Sequence, residues 1–235
     1  MESGARRYAI VRERHANILL KEESSLPTVY QSWPAEHAVE RSRFIGKTYR
    51  LTDPDQLPAC LADIEHQHPG ANHYTWAYRI DQAQVRANDD GEPHGSAGLP
   101  MLNILSRQGW FETLVVVARY FGGIKLGRGG LVRAYQRGAQ AALNATVPGV
   151  LTPVVKIRLD LDYSLYERIN RNIAAHAIAE SADYGANVTL SLLMTQNAWP
   201  AIQAILNQQA LHHWHLQDSQ EGLKVLPLSA SPGEQ

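Results

Sequence analysis

The sequence predicts an α+β protein of two domains, and three features carry that prediction. A wholly apolar run, "TLVVVA", is followed by a glycine-rich turn and then by a long segment with helical periodicity. That is the pattern of a buried strand feeding a helix. A stretch with two prolines and a glycine, "VPGVLTP", separates periodic segments and reads as a domain boundary. Beyond it, strand and helix signals follow the order β-α-β-β-α-β, the ferredoxin-like arrangement, in a length of about 65 residues that suits it.

Taken in order, residues 1–26 mix charge with short apolar groups and read as a loosely ordered leader. The first domain is expected over residues 27–148. "TVYQSW" and "SRFIGKTYRL" have strand character. "DPDQLPACLADIEHQHPG" opens with Asp and Pro, carries Leu57, Leu61 and Ile64 at helical spacing, and stops at Pro69-Gly70. "HYTWAYRI" and "QVRA" read as strands around a polar turn, and "NDDGEPHGSAGLP" as a loop. "MLNILSRQ" reads as a helix ahead of the buried strand. After the glycine turn, "LVRAYQRGAQAALNA" puts Leu131, Ala134, Tyr135, Gly138, Ala142 and Ala145 on one face. Arg133, Gln136, Arg137, Gln140 and Asn144 fall on another. The apolar face is built of small residues, so close packing on a sheet is expected. The second domain spans residues 153–218: "VVKIRLDLDY" alternates strictly, and "SLYERINRNIAAHA", "IAESADY", "NVTLSLLM", "AWPAIQAILNQ" and "HHWHLQD" complete the series. Residues 219–235 read as a disordered tail.

The composition narrows the function. The chain has 235 residues, 44% apolar and 19% charged, which suits a globular protein with a sizeable core. No apolar run approaches the roughly 20 residues needed to span a bilayer, and the charged N-terminus has no secretory pattern. A cytoplasmic location without a membrane partner is expected. One cysteine, Cys60, excludes an internal disulfide. Lys and Arg number 22 against 23 Asp and Glu, so indiscriminate coating of nucleic acid is not expected. Residues 114–140, however, hold Arg119, Lys125, Arg128, Arg133 and Arg137 and no acid.

Two loops carry candidate chemistry. In "ARYFGGIKLGRGGLVRAY", backbone N–H groups at a strand-to-helix turn, with Lys125 and Arg128 beside them, form a candidate anion cradle. It is no Walker A loop: Arg128 and Gly129 stand where Lys and Ser/Thr are required. It is no dinucleotide fingerprint either, since Val132 replaces the third glycine. A tight connection that needs positive φ accounts for the glycines equally well. In "NDDGEPHG", Asp89, Asp90 and Glu92 cluster beside His94; they could hold Mg²⁺, or form a solvated Asp-Gly turn. Histidines at positions 66, 68 and 73, and those of "HHWH", lack metal-ligand spacing, and no metal site is expected. "NVTLSLLM" carries no aromatics for base stacking, and no GxSxG elbow exists for nucleophilic catalysis.

"SRFIG", "ANHYTWAYRI", "NDDGEPHGSAGLPML" and "VVVARYFGGIKLGRGGLVRAY" together resemble the IMPACT/YigZ family, from roughly Pro27 to the last strand near Asp218. The resemblance implies an N-terminal domain of the kind found in a small-subunit ribosomal protein and elongation factor G. It implies also a C-terminal domain like the last domain of that factor. The family's signature falls on Arg119, Tyr120, Phe121, Gly122, Gly123, Lys125, Gly127, Gly129 and Gly130, and on residues 89–93, with His73, Ala77 and Tyr78 in a smaller motif. Where some relatives carry a threonine, this sequence has Arg128. Eukaryotic relatives are translational regulators with an additional N-terminal domain.

Two functions follow as expectations. The first is a translation-associated binding protein that contacts ribosome or RNA phosphates, or a translation factor, through Arg119, Lys125, Arg128, Arg133 and Arg137, without reading DNA sequence and without a cofactor. The alternative is an Mg²⁺-dependent enzyme acting on a small phosphorylated ligand, with Asp89, Asp90 and Glu92 as ligands or base and His73 or His94 moving protons.

Overall fold

The computed structural model describes residues 26–208 and 214–228. Residues 1–25 of the expected leader, the first two histidines of "HHWH", and residues 229–235 of the expected tail lie outside the described residues. The chain divides into two compact units, Met1–Val150 with Val225–Gln235, and Leu151–Lys224. Both units mix helix and sheet. Among the described residues no helix is long and apolar enough to cross a membrane.

The first unit is built on a five-stranded antiparallel sheet. Its strands are β2 (Ala35–Val39), β3 (Ser42–Arg50), β4 (His73–Arg79), β5 (Val85–Asn88) and β6 (Thr113–Tyr120), in the order β2-β3-β6-β4-β5. β6 is central, and Leu114 through Ala118 are wholly buried, which explains its unbroken apolar run. Each such Leu or Val contributes roughly 1.5–3 kcal/mol of burial. Helix α1 (Leu57–Gln67) covers one face, packing near Leu51, Tyr78, Leu114 and Val116. Helices α2 (Gly98–Arg107) and α3 (Gly127–Asn144) cover the other, against Phe44, Ala77, Val115 and Val117. The small-residue face of α3 lies very close to β3: a Cβ on Gly46 would sit 2.6 Å from the Gly138 carbonyl oxygen. β1 (Thr28–Ser32) pairs outside this sheet, with Thr28 opposite Gly149 at the start of β7 (Thr146–Leu161).

In the second unit, β7 pairs with β9 (Val188–Thr195), and β9 with β8 (Ala177–Tyr184). β10 (Trp214–Pro227) also pairs with β7. Helix α4 (Tyr163–Ala174) follows β7 and α5 (Trp199–Gln208) follows β9. The Asp162 carboxylate caps α4, accepting from the Leu165 N–H at 2.6 Å. The inward residues of the strands (Ile157, Leu159, Leu190, Leu192, Met194) and of the helices (Leu165, Ile169, Ile202, Leu206) form one core.

Four departures from the sequence reading have physical causes. β2, "AEHAV", is a short edge strand with no fully buried residue, so it carries almost no hydrophobic signal. α2 and α3 start earlier than expected, taking in Gly98-Leu99-Pro100 and Gly127–Gly130. "VPGVLTP" holds the division between the two units, from Val150 to Leu151, but runs as part of β7 and not as a loop. Its glycine marks close backbone approach, since a Cβ on Gly149 would lie 2.6 Å from the Leu226 carbonyl oxygen. Finally, residues 219–227, expected in a disordered tail, belong to β10. Val225 and Leu226 are half-buried, and the Leu228 N–H donates to the Pro148 carbonyl at 3.0 Å.

Candidate functional site

The loop after β6 is anchored before it reaches α3. The Phe121 N–H donates to Asn72 Oδ1 at 2.8 Å and the Gly122 N–H to Ser42 Oγ at 3.1 Å. Two of the amides expected in an anion cradle are therefore already occupied. The Tyr120 hydroxyl donates to the Pro69 carbonyl. Gly122 lies against the hairpin between β2 and β3, whose two turn residues, Glu40 and Arg41, both have positive φ. A Cβ there would come within 2.1 Å of the Arg41 carbonyl carbon. Gly123, at φ +84°, and Gly127, at φ +68°, turn the chain into α3.

The acidic loop is equally occupied by its own fold. Asp89 accepts backbone N–H bonds from Gly95 at 2.7 Å, Ala97 at 3.0 Å and Gly98 at 2.9 Å, and so serves as a distant cap for α2. Asp90 Oδ2 accepts from the Tyr74 N–H, and its carbonyl accepts from His73 Nδ1, both at 2.6 Å. Glu92 is buried, paired with Arg119, and accepts the Tyr135 hydroxyl at 2.7 Å. Burial first, and then the Glu92 carboxylate, push the Tyr135 hydroxyl far above its ordinary pKa, so it remains a donor. His73 Nε2 is 3.9 Å from Glu92, while His94 is fully exposed, 3.7 Å from Asp89. All three carboxylates thus already hold protein donors. Among the described residues no group of three or more His, Cys, Asp or Glu is placed to hold a metal ion. The residues present do not fit an Mg²⁺ site.

Burial on its own would raise the Asp89 pKa, but the three backbone donors outweigh it and hold the carboxyl below the usual aspartate value. Such a group adds stability that is complete above the unfolded pKa of about 3.9 and is lost as pH falls through the lower folded value. Asp89→Asn is therefore expected to cost about 1–3 kcal/mol at neutral pH. It should also flatten the loss of urea resistance between about pH 5 and pH 2, measured by unfolding curves at each pH. An unchanged slope over that range would contradict this role.

The basic residues divide into two groups. Arg119 is 6% exposed; besides Glu92 its guanidinium lies over the rings of Phe44 at 5.4 Å and Phe121 at 5.5 Å. Its charge is met by Glu92 within the fold, and it does not line the cleft formed by the other basic residues. Arg128 is exposed and donates to the His94 carbonyl at 3.0 Å, joining the two loops. Lys125, Arg133 and Arg137 are exposed and line one cleft of about 510 Å³ with His37 and Glu40. None of the three forms an ion pair among the described residues. Burial, followed by the charge of Arg137, lowers the His37 pKa. His37 was not picked out from the sequence, because β2 itself was not; "AEHAV" opposite "SRFIG" was the available signal. A second cleft, of about 380 Å³, lies between the acidic loop and the start of α3, with His73, Glu92, Arg119, Phe121 and Arg128 among its lining. Gly129 and Gly130 are in the first turns of α3.

Two mixed α/β units, with an acidic and a glycine-rich loop joined through a buried Arg–Glu pair, define the class of protein at hand. The Impact N-terminal domain model matches residues 40–143, a span that holds both loops. An IMPACT family member of Haemophilus influenzae is 33% identical over 180 residues, covering 74% of this chain and 87% of the relative. The Bacillus subtilis IMPACT family member YvyE is 44% identical over 119 residues, 50% of this chain and 55% of its own. A solved structure described as the crystal structure of a hypothetical protein aligns over 81% of this chain and 95% of its own, with 29% identity and a TM-score of 0.52. The chain belongs to the IMPACT family.

Proposed function

We propose that the protein is a translation-associated regulatory module that holds RNA phosphates, on the ribosome or a ribosome-bound factor, against the exposed face of α3. One observation carries the reading: Lys125, Arg133 and Arg137 line a single open cleft in which they outnumber its one acid, Glu40, and none of the three forms an ion pair among the described residues. Arg133 and Arg137 are one helical turn apart, so their charges add along one face. Contacts of this type give affinity without sequence reading. Family membership supports the link to translation, since the eukaryotic relatives the sequence resembles are translational regulators. The order β10-β7-β9-β8 of the second unit supports the ferredoxin-like reading. That unit would then position the protein on its partner, as the resemblance to elongation factor G implies. The Mg²⁺-dependent alternative loses support, because Asp89, Asp90 and Glu92 already hold protein donors.

Co-sedimentation with purified ribosomes across a salt series tests the reading. The expected result is salt-sensitive binding that a Lys125→Ala/Arg133→Ala/Arg137→Ala variant weakens. The slope of log affinity against log salt should become shallower by about 2–3 for three lost phosphate contacts. Absence of co-sedimentation at low salt would sink the proposal.

A further inference from the structure

The cleft between the acidic loop and the start of α3 shares Lys125 with the basic face but not Arg133 or Arg137, and three observations meet in it. α3 begins without a side-chain cap, so its first N–H groups lack the acceptor that a Ser, Thr or Asp would supply. Gly127 and Arg128 of that first turn line the cleft. Independently, Arg119 lines the same cleft while only 6% exposed, and its Nε has no hydrogen-bond partner. A buried guanidinium N–H is costly unless an acceptor reaches it. The third observation is apolar: Phe121, 46% exposed, stands beside Leu126 and Leu131 in the lining.

Together these features describe what the cleft can take. The negative charge of Glu92 is answered by Arg119 and the Tyr135 hydroxyl, which leaves Lys125 and Arg128 to set the sign of the site. Several donors converging at a helix start suit an anion with several acceptor oxygens. The exposed ring of Phe121 suits a planar base, since base–aromatic stacking works with any base. A volume of about 380 Å³ is near the small end of ligand sites, roughly 300–1,000 Å³, which fits one nucleotide and not a length of polymer. We propose that this cleft binds the phosphomonoester of a single nucleotide, with the phosphate at the first turn of α3 and the base against Phe121. The nucleotide is either free or the 5′ end of an RNA.

Calorimetric titration of the full chain with adenosine 5′-monophosphate and with adenosine tests this. The monophosphate is expected to bind at least about tenfold more tightly, and Phe121→Ala to weaken it by about tenfold. Arg128→Glu separates lost binding from lost folding. Arg128 is exposed and lines the cleft. A carboxylate in the first turn stabilises a helix while repelling a phosphate. The melting temperature should hold or rise as monophosphate binding disappears. Short oligoribonucleotides identify the source: displacement of the monophosphate by the 5′-phosphorylated form but not the 5′-hydroxyl form indicates an RNA end, and displacement by neither indicates a free nucleotide. Equal binding of monophosphate and adenosine, or monophosphate binding that survives Arg128→Glu, would overturn the proposal. Arg133 and Arg137 do not line this cleft, whereas Lys125 lines both clefts; an Arg133→Ala/Arg137→Ala variant, expected to lose ribosome affinity and keep monophosphate binding, separates this experiment from the ribosome one.

Discussion

Glu92→Ala is expected to lower the stability of the first unit by about 3–5 kcal/mol, and adding Arg119→Met to recover most of that loss. The side chains of Glu92 and Arg119 are 3% and 7% exposed, so neither charge can turn to water. With Glu92 removed, Arg119 remains buried and cationic, because a guanidinium does not deprotonate in this environment. Its Nε already has no partner, and the Tyr135 hydroxyl loses its acceptor in the same step. Methionine at position 119 removes the stranded charge and keeps apolar volume between the rings of Phe44 and Phe121. Urea unfolding of the wild type, the two single variants and the double variant gives the coupling directly. A double variant no more stable than Glu92→Ala would show that the cost lies in lost packing and not in a stranded charge. The result bears on function as well, since a Glu92 held as the counter-ion of Arg119 is not free to act as a base or to ligate Mg²⁺.

The same pair shows where reading the sequence ran out. Arg119 closes an apolar run and precedes a glycine turn, a place where a cation is ordinarily exposed. Its burial is fixed by tertiary arrangement: β6 is the central strand, covered on both faces, so even its end is shielded. The partner lies 27 residues earlier, in a loop whose acids looked solvated. No local pattern pairs them. Elements whose signal is periodic were legible. Val115 and Val117 on one face and Leu114 and Val116 on the other announced a doubly covered strand, and the alternation from Val155 to Leu161 announced β7. Elements whose signal is pairing were not. β2 is held by its ladder to β3, with His37 opposite Phe44, and its composition carries little trace of that. Arg133 and Arg137 could be placed on one helical face from spacing alone, whereas their cleft could not, because His37 and Glu40 arrive from β2 and its turn.

Substituting the glycines of the loop one at a time is expected to give three different results, which separate its structural positions from its open ones. Gly122→Ala should cost about 3 kcal/mol or more. Its Cβ would lie 2.1 Å from the Arg41 carbonyl carbon and 2.4 Å from the Ser42 nitrogen. Both are backbone atoms of a hairpin whose turn residues are already at positive φ, so nothing flexible can move aside. Gly123→Ala meets no atom within 4 Å, and only its φ of +84° opposes the substitution. The left-handed penalty of about 1–2 kcal/mol, less the lower entropy of unfolded alanine, leaves a net cost of about 1 kcal/mol. Gly129→Ala, inside α3 with room for a methyl group, should gain about 0.5–1 kcal/mol. Thermal and urea unfolding read all three. Equal losses at the three positions would mean that the loop is one rigid insert. The expected order instead assigns its two ends different work: Gly122 fixes the loop to the β2–β3 hairpin, while Gly129 tolerates a side chain in α3. The residues between them, from Gly123 to Arg128, are then a stretch that the β2–β3 hairpin does not fix.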